Sequence, residues 1–391
     1  MPNKRTWGSR PSWRAGLRSR DVRLRFALHA RRCERVTRLR VAFDARRLQD
    51  RPLGGVGRAL ANVMDLLATE AELVLLTDAR RAPVATELRQ QPLRPPARAP
   101  EAIWLEWNVA RWLRGFDGIF HGTFYALPVR LPVPGIVTIY DLSFAVHPED
   151  FGRAKRWVFR QQSRSSARRA RRIVTATMHA KDELVRHYDV DPKRIVISPL
   201  AVDPMFAPSY AERDAATVQR LGVHSPYIVA LGGARRRGLE VAIGAWRRLC
   251  SSGLAVDLVV VGPSTVAAEP GLVRAGFLSE PDWATVLAGA AAFCYPTRYE
   301  GFGLPALESA ASGTPVVCAP VGPLPEVLGD AAEWCATPTE QAIATGLRRV
   351  VTDPAHAASL RDRGLERISK WPTWENSANV LLRAYREIAN G

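Results

Sequence analysis

Cysteine is scarce and badly spaced for chemistry. The 391-residue chain has five, Cys33, Cys250, Cys294, Cys318 and Cys335. The number is odd and no two form a Cys-x-x-Cys pair, which argues against a disulfide framework or a structural zinc site. A reducing cytosol is the expected compartment. No uninterrupted apolar run reaches the ~18 residues of a membrane span, and the N-terminus lacks the apolar stretch of a secretory signal. Lysine is also rare. Only five of 55 basic residues are Lys, and an arginine bias this strong reflects GC-rich coding more readily than function.

What is present suggests an ordinary two-domain globular protein, with 47% hydrophobic and 24% charged residues. The net charge of +17 is uneven. Residues 1–40 hold thirteen basic side chains against Asp21 and Glu34, a balance of +11, leaving +6 for the rest. Residues 1–39 show no sustained periodicity and are expected to be a disordered basic extension. A nucleic-acid or lipid-headgroup arm is the competing reading there, and no nucleic-acid partner is expected.

From Arg40 the pattern alternates. Arg40–Asp44 reads as a buried strand, followed by a loop through Gly54-Gly55-Val56-Gly57 and a helix from Arg58 to Leu67 with apolar residues at helical spacing. Further strands are expected at 73–76, 118–121, 135–140 and 173–176. The Pro-rich stretch from Ser198 to Pro208 reads as a linker. Beyond it the alternation restarts, with strands at 227–231, 256–261, 292–295 and 314–318 and helices at 239–249 and 283–290. Such alternation implies α/β architecture, here two Rossmann-like β/α/β domains facing a cleft. The expected divisions are 40–207, 208–370 and a C-terminal helix over 371–391.

The most informative stretch is Arg298-Tyr299-Glu300-Gly301-Phe302-Gly303-Leu304-Pro305-Ala306-Leu307-Glu308. A glycine turn leads into a helix with proline at its start and Gly313 as its cap. The amides near Phe302–Leu304 leave such a helix end unsatisfied and suit a phosphate. Two glutamates around a pure anion site would repel the ligand. They fit a sugar diphosphate whose hydroxyls each carboxylate can accept. Leu231-Gly232-Gly233-Ala234-Arg235-Arg236-Arg237-Gly238 places three guanidinium groups directly after a strand, where phosphate binding is favoured. The first loop fails the dinucleotide pattern Gly-x-Gly-x-x-Gly, because Leu60 stands where a third glycine belongs. That weakens an oxidoreductase reading.

This combination resembles the GT-B retaining glycosyltransferases of family 4, with their glutamate-x7-glutamate motif. The resemblance covers nearly all of the chain from Arg40. It implies that Glu300 contacts donor-sugar hydroxyls and Glu308 the ribose. It further implies that Gly55, Gly57 and the Gly301–Leu304 backbone, with Phe302 and Gly303, face the donor, and that Arg236 and Arg237 meet its diphosphate, Arg235 being a register alternative. His121 and the block Thr138-Ile139-Tyr140-Asp141-Leu142 match further family positions at strand ends. There Tyr140 replaces the usual histidine and Gly238 an asparagine, so a catalytically idle scaffold is a competing reading. The loop 323–331 also matches and reads first as structural support.

The implied reaction is a metal-independent retaining hexosyl transfer to an acceptor hydroxyl, by front-face displacement. The resemblance favours GDP-mannose as donor, with a UDP-sugar open, no further cofactor, and a glycan or lipid-linked acceptor in cell-surface polysaccharide or glycolipid synthesis. Arg153, Arg156, Arg160, Arg164, Arg168 and Arg172 recur at helical spacing with Trp157 beside them and no acidic residue between Gly152 and Lys181. That stripe suits an anionic surface, so the expected location is cytoplasmic, peripheral to the inner face of the membrane.

Overall fold

The computed structural model describes residues 39–209, 215–223 and 226–391. The expected disordered extension over 1–39 therefore lies almost wholly outside the described residues.

Two parallel sheets organise the chain. The first contains β1 (Arg40–Asp44), β2 (Glu72–Asp78), β3 (Gln90–Leu93), β4 (Ile119–Gly122), β5 (Gly135–Thr138), β6 (Arg172–Thr175) and β7 (Ile195–Ile197), in the order β3-β2-β1-β4-β5-β6-β7. The second contains β8 (Tyr227–Leu231), β9 (Asp257–Val261), β10 (Leu272–Gly276), β11 (Ala292–Tyr295), β12 (Val316–Cys318) and β13 (Ala332–Trp334), in the order β10-β9-β8-β11-β12-β13. Every pairing is parallel. In each sheet the order reverses beside the first strand, at β1/β4 and at β8/β11. These switch points are where open α/β sheets leave a crevice at their strand ends. The central strands are buried on both faces, which explains their unbroken apolar character.

The expected loop at 54–57 is already helical from Gly55. The first helix runs Gly55–Ala68, with Gly54 as its N-cap. Gly57 allows this early start, since a Cβ there would lie 2.5 Å from the Arg47 carbonyl.

Helix Trp374–Asn390 closes the molecule. Thr373 and Asn376 cap it reciprocally. Its buried face, Trp374, Ala378, Leu381, Leu382 and Tyr385, packs on the Gly55–Ala68 helix and reaches β4 and β7. Arg172 and Arg386 add ion pairs to Glu387 and Glu70. One buried apolar cluster includes Phe43, Met64, Leu200, Phe206, Phe293, Leu307 and Tyr385, so the two halves share a core along this side. No helix among the described residues is long and apolar enough to cross a membrane.

Candidate active site

Three helix N-termini without side-chain caps border the cleft: Gly55–Ala68, Leu239–Ser251 and Leu304–Ala311. Each is introduced by glycine. Gly238 and Gly303 have φ of 71° and 94°, the left-handed region that costs other residues strain. First-turn amides have no intrahelical acceptor, and their partial positive charge favours an anion. At Gly54 and Gly55 the space a Cβ would fill is open.

The arginine turn and the glutamate motif meet. Arg235–Arg237 forms a single 3-10 turn after β8. Arg235 is exposed, whereas Arg236 and Arg237 are half-buried. Arg298 N donates to Arg236 O at 2.7 Å, and the Thr297 hydroxyl lies 3.1 Å from the same carbonyl. Gly238 lets this junction close, because a Cβ there would stand 2.2 Å from Pro296 O. The Tyr295 hydroxyl donates to Glu300 Oε1 at 2.6 Å. Burial raises the affinity of Glu300 for a proton, while Tyr295, Arg237 and Arg236 oppose the shift.

The first domain supplies the opposite wall. A Cβ on Gly301 would fall 2.7 Å from Asp141 Cβ and 2.9 Å from Tyr140 O. A pocket of about 280 Å³ brings Arg236 together with Tyr140, Asp141, Lys155 and an aromatic wall that includes Phe124 and Phe159. Tyr125 lies in this wall at φ 60°, and burial followed by the Asp141 charge holds its hydroxyl protonated. A wider groove of about 950 Å³ lies between the 239–251 and 340–352 helices and shares no residue with that pocket.

The other sequence-derived residues lie in varied surroundings. His121 is buried, with Nδ1 2.7 Å from the Tyr385 hydroxyl and Nε2 2.7 Å from Thr138 Oγ1. Burial pushes its pKa down to about 3, so it serves as a neutral brace for the terminal helix. The missing side chain of Gly57 is replaced by chain packing, as described above. The side chains of Phe302 and Leu304 belong to the core, Phe302 edge-on to Trp371, so only their backbone can reach a ligand. Arg172 lies on β6, off the Arg153–Arg169 helix. The expected loop 323–331 is helical over Leu324–Leu328 and clasps the first domain, with the Glu326 carboxylate accepting from Met178 N at 2.8 Å and His179 N at 3.1 Å.

Two features escaped the sequence reading. Arg58 crosses from the first helix to pair with Glu308 and, at 2.7 Å, with Glu280. Only its place after the glycine loop could have signalled it. The second is an Asp-x-Asp triplet, a motif the sequence reading took to be absent, at Asp189-Val190-Asp191. Asp189 is the left-handed C-cap of helix Met178–Tyr188, and Asp191 accepts from Lys193 N at 2.9 Å, so both serve turns. Among the described residues no group of three or more acidic, His or Cys side chains could hold a metal ion.

The description "Glycosyltransferase Family 4" matches residues 53–206, and "Glycosyl transferases group 1" matches residues 225–353. The chain belongs to the GT-B glycosyltransferases of family 4. The O-antigen chain mannosyltransferase B of Escherichia coli is 26% identical over 285 residues, 69% of this chain and 74% of that protein. The MMP alpha-(1->4)-mannosyltransferase of Mycolicibacterium hassiacum is 30% identical over 244 residues, 60% of this chain and 58% of its own length. The structure of Anabaena HepE in complex with UDP and glucose superposes with a TM-score of 0.71 at 14% identity, covering 89% of this chain and all of that one. This likeness establishes the fold of the family 4 glycosyltransferase described here.

Proposed function

We propose that this glycosyltransferase moves mannose from GDP-mannose to an acceptor hydroxyl with retention at the anomeric carbon. The carrying observation is that Arg236, Arg237 and Glu300 adjoin across the Arg236–Arg298 junction, beside two uncapped helix ends. The guanidinium groups and the first-turn amides would stabilise the departing diphosphate. Glu300 would accept from sugar hydroxyls, which requires its ionised form, and Glu308 from the ribose. The pocket at Tyr140, Asp141 and Arg236 would receive the acceptor. With no side chain assigned as nucleophile, a departing phosphate oxygen accepts the acceptor's proton on the same face of the sugar. Close lobe contact at Gly301 limits water and thus donor hydrolysis.

Mannose from GDP-mannose is favoured by the two mannosyltransferase relatives. A UDP-sugar is the alternative, favoured by the nucleotide held in Anabaena HepE. The idle-scaffold reading draws on Tyr140, which lies beside Tyr385 and the small cavity at His121 and cannot act as a near-neutral base. Helix Arg153–Arg169 carries seven cations and no acid, with Trp157 64% exposed and Val158 46% exposed. This face would hold the enzyme against an anionic membrane near a lipid-linked acceptor, in surface polysaccharide or glycolipid synthesis.

A thermal-shift screen of GDP, UDP, ADP and their sugar conjugates tests the donor, since a ligand of the native state raises the melting point. GDP and GDP-mannose should give the largest rise. A larger rise with UDP conjugates would replace the donor, and donor binding without transfer across an acceptor panel would support the idle scaffold.

A further inference from the structure

Arg58 occupies a place that the reaction outlined above leaves unexplained. It is the fourth residue of the Gly55–Ala68 helix, yet both of its ionic partners lie in the second sheet's domain. Nε is 2.7 Å from Glu280 Oε1, Nη2 pairs with Glu308 Oε1, and the guanidinium carbon stands 5.8 Å over the Phe206 ring. Its side chain is 19% exposed, and that of Glu308 is 1% exposed. The second Glu308 oxygen accepts the Trp283 indole N–H at 2.8 Å.

We propose that Arg58 is a donor-positioning residue that closes the nucleoside end of the cleft and prepares Glu308 to receive a vicinal diol. This rests on reading Glu308 as the ribose acceptor. A carboxylate offers about four lone-pair sites. Arg58 and Trp283 take one on each oxygen, leaving one on each for two neighbouring hydroxyls. A carboxyl this buried tends to take up a proton, and a protonated carboxyl loses part of its accepting capacity. Burial does raise Glu308, and Glu280 adds to the rise, while Arg58 and the Trp283 hydrogen bond oppose it. The planar guanidinium fork reaches Glu280 with one nitrogen and Glu308 with another, which a lysine point charge would not reproduce. These contacts fix the acceptor geometry of Glu308 and tie the two lobes together. Preorganisation of this kind removes ordering costs from binding.

The test is calorimetric binding of GDP, UDP and inorganic pyrophosphate to the full chain and to Arg58→Gln, Arg58→Lys, Glu280→Gln and Glu308→Gln. Arg58→Gln should weaken the preferred nucleoside diphosphate by about tenfold or more, the effect of one charge-assisted hydrogen bond. Pyrophosphate affinity should change by less than about twofold, since Arg58 acts at the nucleoside end. Arg58→Lys should recover part of the loss. Nucleotide binding unchanged in Arg58→Gln, or pyrophosphate weakened equally, overturns the proposal. Should Arg58→Gln fail to fold, Glu280→Gln decides: its nucleotide affinity should fall several-fold, and wild-type affinity refutes the role. Loss in Glu308→Gln without loss in Arg58→Gln overturns this proposal alone. Absence of nucleotide binding in the wild type, or unchanged binding in Glu308→Gln, overturns the donor reading as well.

Discussion

Replacing Gly238 by alanine probes the junction on which the proposed donor site depends. At φ 71° the backbone is left-handed, which costs a non-glycine residue roughly 1–2 kcal/mol. The added Cβ would also stand 2.2 Å from Pro296 O and 3.0 Å from Pro296 C, and relief requires a shift on the order of 1 Å. The neighbours that must shift are the arginine turn and the start of the glutamate motif, tied by the 2.7 Å bond from Arg298 N to Arg236 O. The stability loss should be modest, at about 2–4 °C of melting temperature per kcal/mol for a domain of this size. The functional loss should be larger, because a 1 Å misplacement of binding groups can cost about a hundredfold in rate. Calorimetric titration with GDP or UDP, beside a thermal melt, separates the two. Nucleotide affinity and melting temperature both at wild-type values would refute the reasoning, as would a large loss of stability with affinity intact.

His121→Ala should leave the Tyr385 and Thr138 hydroxyls without their partner and destabilise the fold by about 2–4 kcal/mol, while nucleotide affinity stays within about twofold. A wild-type melt contradicts the bracing role. The buried imidazole also predicts acid sensitivity. Its folded pKa lies near 3 against 6.5 for the free side chain, so the unfolded chain binds the extra proton within that window. Its contribution to stability is therefore complete above the upper value and is lost as pH falls, by about 1.4 kcal/mol per pH unit. Denaturant melts of His121→Phe should show a shallower dependence over that range. On the proposed mechanism, in which arginines and helix amides would meet the leaving diphosphate, EDTA should leave turnover with GDP-mannose unchanged; abolition by EDTA and recovery with a divalent cation would contradict this. Sedimentation with anionic vesicles should occur at low salt and disappear at high salt, and Arg153→Ala and Arg160→Ala should each weaken it by about 1 kcal/mol. Equal binding to neutral vesicles would count against the charged face.

Much of the fold was legible because buried parallel strands read as apolar runs. Tyr227–Leu231 and Ala292–Tyr295 occur with the bounds the sequence suggested. The edge strands β3 and β13 were not legible, since Gln90–Leu93 contains a proline and Ala332–Trp334 is short and mixed, so neither carries a strand's periodicity. The glutamate motif stood out because glycine, proline and acid at fixed offsets constrain backbone and charge together. Glu308 lies inside an ion pair with Arg58, whose reach across the cleft is a tertiary contact that no local pattern records. His121 shows the converse. A histidine at a strand end looks chemical in sequence, and only the Tyr385 hydroxyl, arriving from 264 residues away, shows that both nitrogens are occupied.

A structure of the protein crystallised with GDP tests the account most directly. The diphosphate should lie between Arg236, Arg237 and the amides at Gly303–Leu304, with the ribose hydroxyls on the Glu308 carboxylate beside Arg58. A nucleotide bound elsewhere, or one whose phosphates touch neither arginine, would contradict it.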